Sequence, residues 1–221
     1  MRNSKLKIFL SIVCLLFLAF GMYSQSLDQE AYKTFKKASL LDMRGTNIID
    51  IGVGSAVPNN DFPNPQFEIY FRGGYKRYIT PHIYLGLDYH KFNLANKDLP
   101  NNGFMSFDLN AHIFLTPYKR FSPYVFFGSG LTASNYFEQT SQKVQAGAGI
   151  EVMVVDFIGL TLSSDYNYQF DDTLDGLEFG DSNDTFFRMS FGVNFYFGGA
   201  RKKAKLMKNL PTVINSNRID G

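Results

Sequence analysis

The feature that most constrains this chain is an alternation of apolar and polar residues with a period of two, repeated in eight segments from Asn47 onward. In the fourth segment, apolar residues at every second position from Met105 to Leu115 are separated by Ser106, Asp108 and Asn110. A period of two predicts strands, not helices. The strands are predicted near residues 47–57, 66–79, 82–94, 104–115, 123–136, 143–155, 158–170 and 185–198.

The connections between the predicted strands alternate between two kinds. Short turns follow the second, fourth and sixth strands, as at Thr80-Pro81. The other connections are mostly longer and rich in Pro, Asn and Asp, and they cover 58–65, 95–103, 137–142 and 171–184. Short turns at one rim and longer loops at the other are typical of outer-membrane barrels. An even number of strands then places both chain ends at the short-turn rim, in the periplasm.

The two faces of the predicted strands separate a membrane barrel from a lipocalin-like soluble one. One face is apolar, aromatic and nearly free of charge, whereas the other mixes charges with glycines such as Gly52, Gly74 and Gly128. The narrow lumen of an eight-stranded barrel is filled by side chains, which suits small and polar residues. We therefore predict an all-β protein, an eight-stranded antiparallel up-and-down transmembrane β-barrel with a short N-terminal helix and a C-terminal tail.

Composition excludes several other classes of protein. With 45% hydrophobic residues the chain is too apolar to be disordered. A formal charge of +2 is too small for a strongly basic nucleic-acid binder, so no nucleic-acid partner is expected. Three His and one Cys leave few ligands for zinc, and we expect neither a metal centre nor a cofactor.

The N-terminus has the features of a secretory signal peptide. Arg2, Lys5 and Lys7 precede an apolar run over residues 8–20, which is short for a membrane-spanning anchor. We predict that residues 1–24 are cleaved. The only cysteine lies inside this run, so the mature chain would contain no disulfide and no thiol nucleophile.

The predicted barrel, residues 47–198, is flanked by two segments of different character. Apolar residues at helical spacing predict a short periplasmic helix within residues 25–46. Residues 199–221 form a predicted basic periplasmic tail. Basic residues just beyond a membrane edge favour anionic headgroups, and the alternative is a docking strip for a periplasmic or secretion partner.

The polar face of the strands carries ionisable residues that would point into the lumen. An isolated buried charge costs several kcal/mol, so these groups are expected to form ion pairs. We predict a paired charge network that plugs the lumen, and the alternative is a narrow ion path gated by the same pairs. The predicted network consists of Asp50, Glu68, Arg72, Lys76, Asp88, His90, Asp108, His112, Glu151, Asp165 and Arg188.

A lipid A-modifying enzyme is an alternative from another class. Such an enzyme needs a histidine close to a serine, with a group that orients the imidazole. His90 has Asp88 on its own face, and Ser106 and Ser134 lie toward the same rim. However, these residues point inward, away from a lipid substrate, and neither serine lies in a nucleophile motif. We expect no enzymatic activity and no catalytic residue.

The loop 171–184 carries six carboxylates and no Lys or Arg. Carboxylate oxygens suit calcium, but the spacing does not match an EF-hand. We predict a solvated extracellular loop.

The end of the eighth predicted strand carries a resemblance to a known signal. Ser190, Gly192, Phe195 and Phe197 resemble the terminal motif by which the insertion machinery recognises outer-membrane barrels, although here a tail follows it. With the eight strands, the chain resembles small barrels of the OmpA or OmpX type. The resemblance implies the outer membrane of a Gram-negative cell, with membrane lipid, lipopolysaccharide and the insertion machinery as partners.

A second resemblance concerns residues 172–217. The segments Leu174-Asp175-Gly176, Asn183-Asp184 and 211–217 are similar to barrel segments associated with curli-type secretion components of Bacteroidetes. This implies an accessory role in curli assembly or another surface protein secretion. The sequence as a whole predicts a structural or binding protein of the cell envelope, with this secretion role, a lipid-modifying enzyme and a narrow small-solute pore as alternatives.

Overall fold

The computed structural model describes residues 27–59, 64–96, 102–137, 139–170 and 185–208. The predicted signal peptide, the acidic loop 171–184 and the last part of the tail lie outside the described residues.

Eight long antiparallel strands follow one another along the chain. Each pairs with its neighbour in sequence, and the first also pairs with the eighth, so the sheet closes into a barrel. This confirms the predicted up-and-down barrel. The strands are β1 Asn47–Asn59, β2 Glu68–Tyr78, β3 Ile83–Asn96, β4 Asn102–Phe114, β5 Phe121–Ser134, β6 Thr140–Val155, β7 Ile158–Gln169 and β8 Thr185–Phe197.

The observed strands differ most from the predicted ones where pairing continues through polar sequence. β6 begins at Thr140, three residues before its predicted start. The intervening Ser141 and Gln142 give no apolar alternation, but they pair with Thr132 and Leu131 of β5. Backbone hydrogen bonds extend the ladder there without help from an apolar face.

Two helices pack together at the end of the barrel that holds the short turns. They are α1, Leu27–Met43, and α2, Ala200–Lys208. The first confirms the predicted N-terminal helix, whereas the second forms within the segment predicted only as a basic tail. Gly198 and Gly199 connect β8 to α2 with φ angles of +75° and +101°, a conformation that favours glycine. Neither described helix is both long and apolar enough to cross a membrane.

We call the end that carries α1, α2 and the turns 79–82, 115–120 and 156–157 the terminal rim, and the opposite end the loop rim. The backbone ties α1 to the terminal rim. The amide of Phe157 donates to the carbonyl of Met43 at 2.9 Å, and the amide of Tyr196 donates to the carbonyl of Phe157 at 2.8 Å.

The strands turn their apolar face outward. Phe107, Leu109 and Phe191 are 52%, 54% and 52% exposed, whereas Asp108 and Arg188 are each 2% exposed. A soluble barrel would show the reverse order, because its apolar side chains would fill the lumen. The predicted orientation is therefore confirmed.

Aromatic side chains also point inward near each end of the lumen, and they enclose the ionisable groups between them. The cluster near the terminal rim consists of Ile48, Tyr84, Phe114, Tyr124, Phe126, Met153 and Tyr196. The cluster near the loop rim consists of Ala56, Tyr70, Phe92, Phe104 and Phe186. We call these the terminal and loop aromatic layers.

Glycines in the lumen make room for these side chains and for close strand contacts. A Cβ atom at Gly54 would lie 1.9 Å from the carbonyl oxygen of Met189, whereas one at the outward-facing Gly73 would have no neighbour closer than 4.0 Å. We expect Gly54→Ala to lower the free energy of unfolding by about 1–3 kcal/mol. The matched Gly73→Ala should change it by less than about 0.5 kcal/mol. Urea unfolding in lipid vesicles, followed by circular dichroism, measures both; equal losses would contradict the close contact at Gly54.

Candidate functional site in the barrel lumen

The side of the lumen network nearer the loop rim is built around Arg188 of β8. Its guanidinium donates Nε and Nη2 to the two carboxylate oxygens of Asp165, at 2.9 and 2.8 Å. Nη2 also donates to Asp108 at 3.2 Å. The same guanidinium lies 5.3–5.7 Å from the ring centres of Tyr70, Phe92 and Phe186. Arg188 thus joins two carboxylates to the loop aromatic layer.

Asp108 of β4 is shared by two more groups. Lys143 Nζ donates to its Oδ2 at 2.8 Å and also donates to Asn167 Oδ1 at 2.7 Å. His90 Nε2 lies 3.0 Å from the same carboxylate oxygen, and His90 Nδ1 lies 2.7 Å from the Tyr70 hydroxyl. Both ring nitrogens of His90 therefore contact polar partners.

A second group of charges lies nearer the terminal rim. Asp50 of β1 accepts from Lys76 Nζ at 2.8 Å, and its other oxygen lies 3.0 Å from Arg72 Nε. Arg72 also donates to Ser163 and Thr161 across the lumen, each at 2.9 Å. These contacts connect β1 and β2 to β7, on the other side of β8.

Two amide side chains connect Asp88 of β3 with β6. Asn110 donates to Asp88 at 2.9 Å and accepts from Gln145 at 2.6 Å. Gln145 lies one inward position from Lys143 on β6, so the two amides connect the Asp88 carboxylate with the strand that carries Lys143. His112 Nε2 lies 3.7 Å from Asp88, which is an ion-pair distance and not a hydrogen bond.

Arg44 closes the lumen at the terminal rim, although it belongs to no strand. It precedes β1, is fully buried, and donates Nε and Nη2 to Glu151 at 3.0 and 2.8 Å. It also donates to the carbonyls of Pro117 and Lys119 in the turn between β4 and β5. The other oxygen of Glu151 accepts from Asn194 at 2.5 Å and Tyr196 at 2.6 Å.

The electrostatics of Arg44 favour its charged form. Burial by itself lowers the pKa of this guanidinium, but the neighbouring Glu151 carboxylate and Tyr196 hydroxyl raise the pKa above its usual value. Arg44 is therefore a permanent cation at the mouth of the lumen.

The described lumen contains equal numbers of buried cations and carboxylates. The cations are Arg44, Arg72, Lys76, Lys143 and Arg188, and the carboxylates are Asp50, Asp88, Asp108, Glu151 and Asp165. Five positive and five negative charges balance without the two histidines. Such a set suits a closed interior, because no net charge is left without compensation.

Ten of the eleven residues predicted for the network lie within these contacts, and Glu68 does not. Glu68 is half-buried near the loop rim, and no ion pair to its carboxylate is found among the described residues. Sequence reasoning missed Lys143 and Arg44. Lys143 has the same parity as the predicted Glu151, so the period of β6 could have revealed it, but Arg44 lies outside every alternating segment.

Among the described residues, no hydrogen bond joins His90 to either serine of the alternative enzyme. Ser106 Oγ accepts from Arg188 Nη1 at 3.3 Å, and Ser134 Oγ accepts from the amide of Gln139 at 3.0 Å. His90 contacts Asp108 and Tyr70, not Asp88 or either serine, in the hydrogen bonds and ion pairs of the described chain. The described residues also contain no group of three metal-ligating His, Cys, Asp or Glu side chains.

The residues of the predicted insertion signal divide between the two faces of β8. Ser190 is buried, and its Oγ lies 3.1 Å from Ser163 Oγ. Gly192 also faces the lumen, beside Arg72. Phe195 and Phe197 are 41% and 44% exposed on the outside, near the terminal rim. An insertion role for these residues stays a prediction.

A closed eight-stranded barrel with an apolar exterior and a filled lumen defines the fold of a small outer-membrane β-barrel. Neisserial surface protein A has this fold: its structure aligns with 69% of this chain and 97% of its own length, at 17% identity and a TM-score of 0.58. OprG from Pseudomonas aeruginosa aligns over 70% of this chain and 98% of its own, at 12% identity and a TM-score of 0.46.

The N-terminal β-barrel domain of Pseudomonas aeruginosa OprF aligns over 68% of this chain and 98% of its own, at 18% identity and a TM-score of 0.43. No protein-family model and no curated protein matches the sequence. The likeness to Neisserial surface protein A is thus a likeness of fold, and any role must be argued from the residues.

Proposed function

We propose that this protein is a non-enzymatic barrel of the outer membrane, with its termini in the periplasm, that acts as a structural or binding component of the cell envelope through surfaces outside its lumen. The observation that carries the proposal is the filled lumen, in which five cations and five carboxylates are buried together with two aromatic layers. The outward apolar face supports the membrane location, because it would be costly to expose to water.

The alternatives have less support from the described residues. An ion path needs mobile or hydrated charges, whereas Asp108, Lys143 and Arg188 are each at most 2% exposed and both cations donate to Asp108. A lipid-modifying enzyme needs a nucleophile beside His90, and the serines bond elsewhere. The segments similar to curli-type secretion components lie mostly outside the described residues, so that role stays a prediction.

The closed lumen predicts that the purified protein conducts no steady ion current in planar lipid bilayers. Ion pairs and aromatic layers would have to separate before a continuous water column could form. A large general porin in the same bilayer serves as the positive control. Stable conductance steps from the wild-type protein would contradict the plug and favour the pore.

A further inference from the structure

The described side chains of the terminal rim carry a large excess of positive charge outside the lumen. Among the side chains described there, two carboxylates face eleven cations, and Asp42 pairs with Lys203 at 2.5 Å while Asp156 pairs with Arg120 at 3.3 Å. Nine of these cations have no carboxylate partner among the side chains that the structure describes, which exclude those of Asp28 and Glu30 in α1. The eleven are Lys33, Lys36, Lys37, Arg77, Lys119, Arg120, Arg201, Lys202, Lys203, Lys205 and Lys208.

Helix α2 has three sides of different character. One side faces the barrel, where Lys202 Nζ lies 3.6 Å from the centre of the Tyr78 ring. A second side, with Ala200, Ala204 and Met207, lines a groove. The third side carries Arg201, Lys205 and Lys208, spaced four and three residues apart and all exposed. We call these three residues the cationic row.

The groove beside the cationic row has mostly apolar walls, and the Asp42–Lys203 ion pair also lines it. It has a volume of about 410 Å³, and α1 contributes Leu41 while the turn between β6 and β7 contributes Phe157. Phe157 is 41% exposed. Positive side chains and an apolar groove therefore stand next to each other on one short helix.

The position of α2 places both features at the level of a membrane surface. Phe197, the last residue of β8, is 44% exposed on the apolar exterior, and α2 begins three residues later. Three residues reach about 10 Å at most, so the first turn of α2 stays close to the edge of the apolar band. Exposed aromatic residues such as Phe197 are typical of that edge in membrane barrels.

The cations around Lys202 also repel one another. Partial burial and the nearby charges of Arg77 and Lys37 lower the pKa of Lys202 below its usual value. An external anion near α2 would relieve this repulsion. A membrane surface with anionic lipids supplies such charge.

We propose that the terminal rim binds anionic phospholipid from the adjacent leaflet, with the phosphate of the headgroup on the cationic row and the apolar part against the Ala204 and Met207 groove. This assignment rests on the proposed membrane location. It gives the basic tail a lipid ligand, where the sequence left open lipid headgroups or a protein partner.

Native mass spectrometry of the full chain in detergent tests the assignment, with phosphatidylglycerol and phosphatidylcholine added as probes. The wild-type protein should retain phosphatidylglycerol in preference to phosphatidylcholine. The triple variant R201Q/K205Q/K208Q should bind phosphatidylglycerol about tenfold or more weakly. The charge-conserving R201K/K205R/K208R should keep the preference. Ala204→Gln, which places a long side chain at the groove and leaves every cation, should weaken the binding of both lipids.

Other outcomes would overturn the assignment. They include a wild type with no preference for phosphatidylglycerol, which would favour a protein partner for the tail, and a triple glutamine variant that binds as tightly as wild type. Displacement of the lipid by an equal concentration of soluble glycerol phosphate would show that the site takes free phosphate and not a membrane lipid. Conductance is measured separately: a conducting wild type that still prefers phosphatidylglycerol would contradict the plug and leave the lipid site standing.

Discussion

Replacing Arg188 with methionine should lower the free energy of unfolding by about 3–5 kcal/mol, because it leaves a buried carboxylate without its cation. Asp165 receives three of its hydrogen bonds from Arg188, and Asn167 donates another at 3.0 Å. Asn167 cannot replace the lost positive charge. The loss would be seen by urea unfolding of the protein in lipid vesicles, followed by circular dichroism.

A double variant separates charge imbalance from lost packing. Arg188→Met leaves five carboxylates facing four cations, and the additional Asp165→Asn restores four of each while keeping the shape of the side chain. The double variant should therefore be more stable than Arg188→Met alone. If Asp165→Asn made the single variant still less stable, the contacts of Arg188 with the loop aromatic layer would be its main contribution.

The fold could be predicted from sequence because one rule governs most of this chain. When lipid covers the outside and side chains fill the inside, every second residue of a strand must change character, as Phe107, Asp108 and Leu109 do. The same parity identified the inward charges. Parity alone did not give the orientation, since a soluble barrel with the same period would place Phe107 inside. The charges and glycines on the opposite face indicated it.

The pairing of those charges could not be read from the sequence. The alternation indicates that Asp88 and His90 share a face. Their partners depend on the register of β3 with β4, which places His90 opposite Ser106. In the folded barrel His90 meets Asp108, and Asp88 bonds to Asn110. A one-residue slip of register would have reversed every side chain on the strand, so the network depends on long-range pairing.

The alternation of polar and apolar residues also did not predict which aromatic residues point inward. Phe92, Phe104 and Phe186 occupy lumen positions near strand ends, where an aromatic residue reads like a continuation of the apolar face. Their burial follows from the barrel itself, since a lumen must be closed at each end if its ion pairs are to stay dry. The aromatic layers and the ion pairs therefore stabilise each other.

Replacing Arg44 with methionine should destabilise the barrel by about 3–5 kcal/mol, although this residue lies in no strand. The substitution leaves Glu151 buried without a cation and leaves the carbonyls of Pro117 and Lys119 without their donor.

The matched control is Arg120→Met on the same rim, where the arginine and its partner Asp156 are 58% and 56% exposed. Exposed ion pairs contribute little, so this control should change the unfolding free energy by less than about 1 kcal/mol. Hydrogen exchange should also rise in the turn 115–120 of the Arg44 variant only. Equal effects of the two substitutions on stability and exchange would show that Arg44 contributes only as a surface charge and that the lumen is closed by its strands alone.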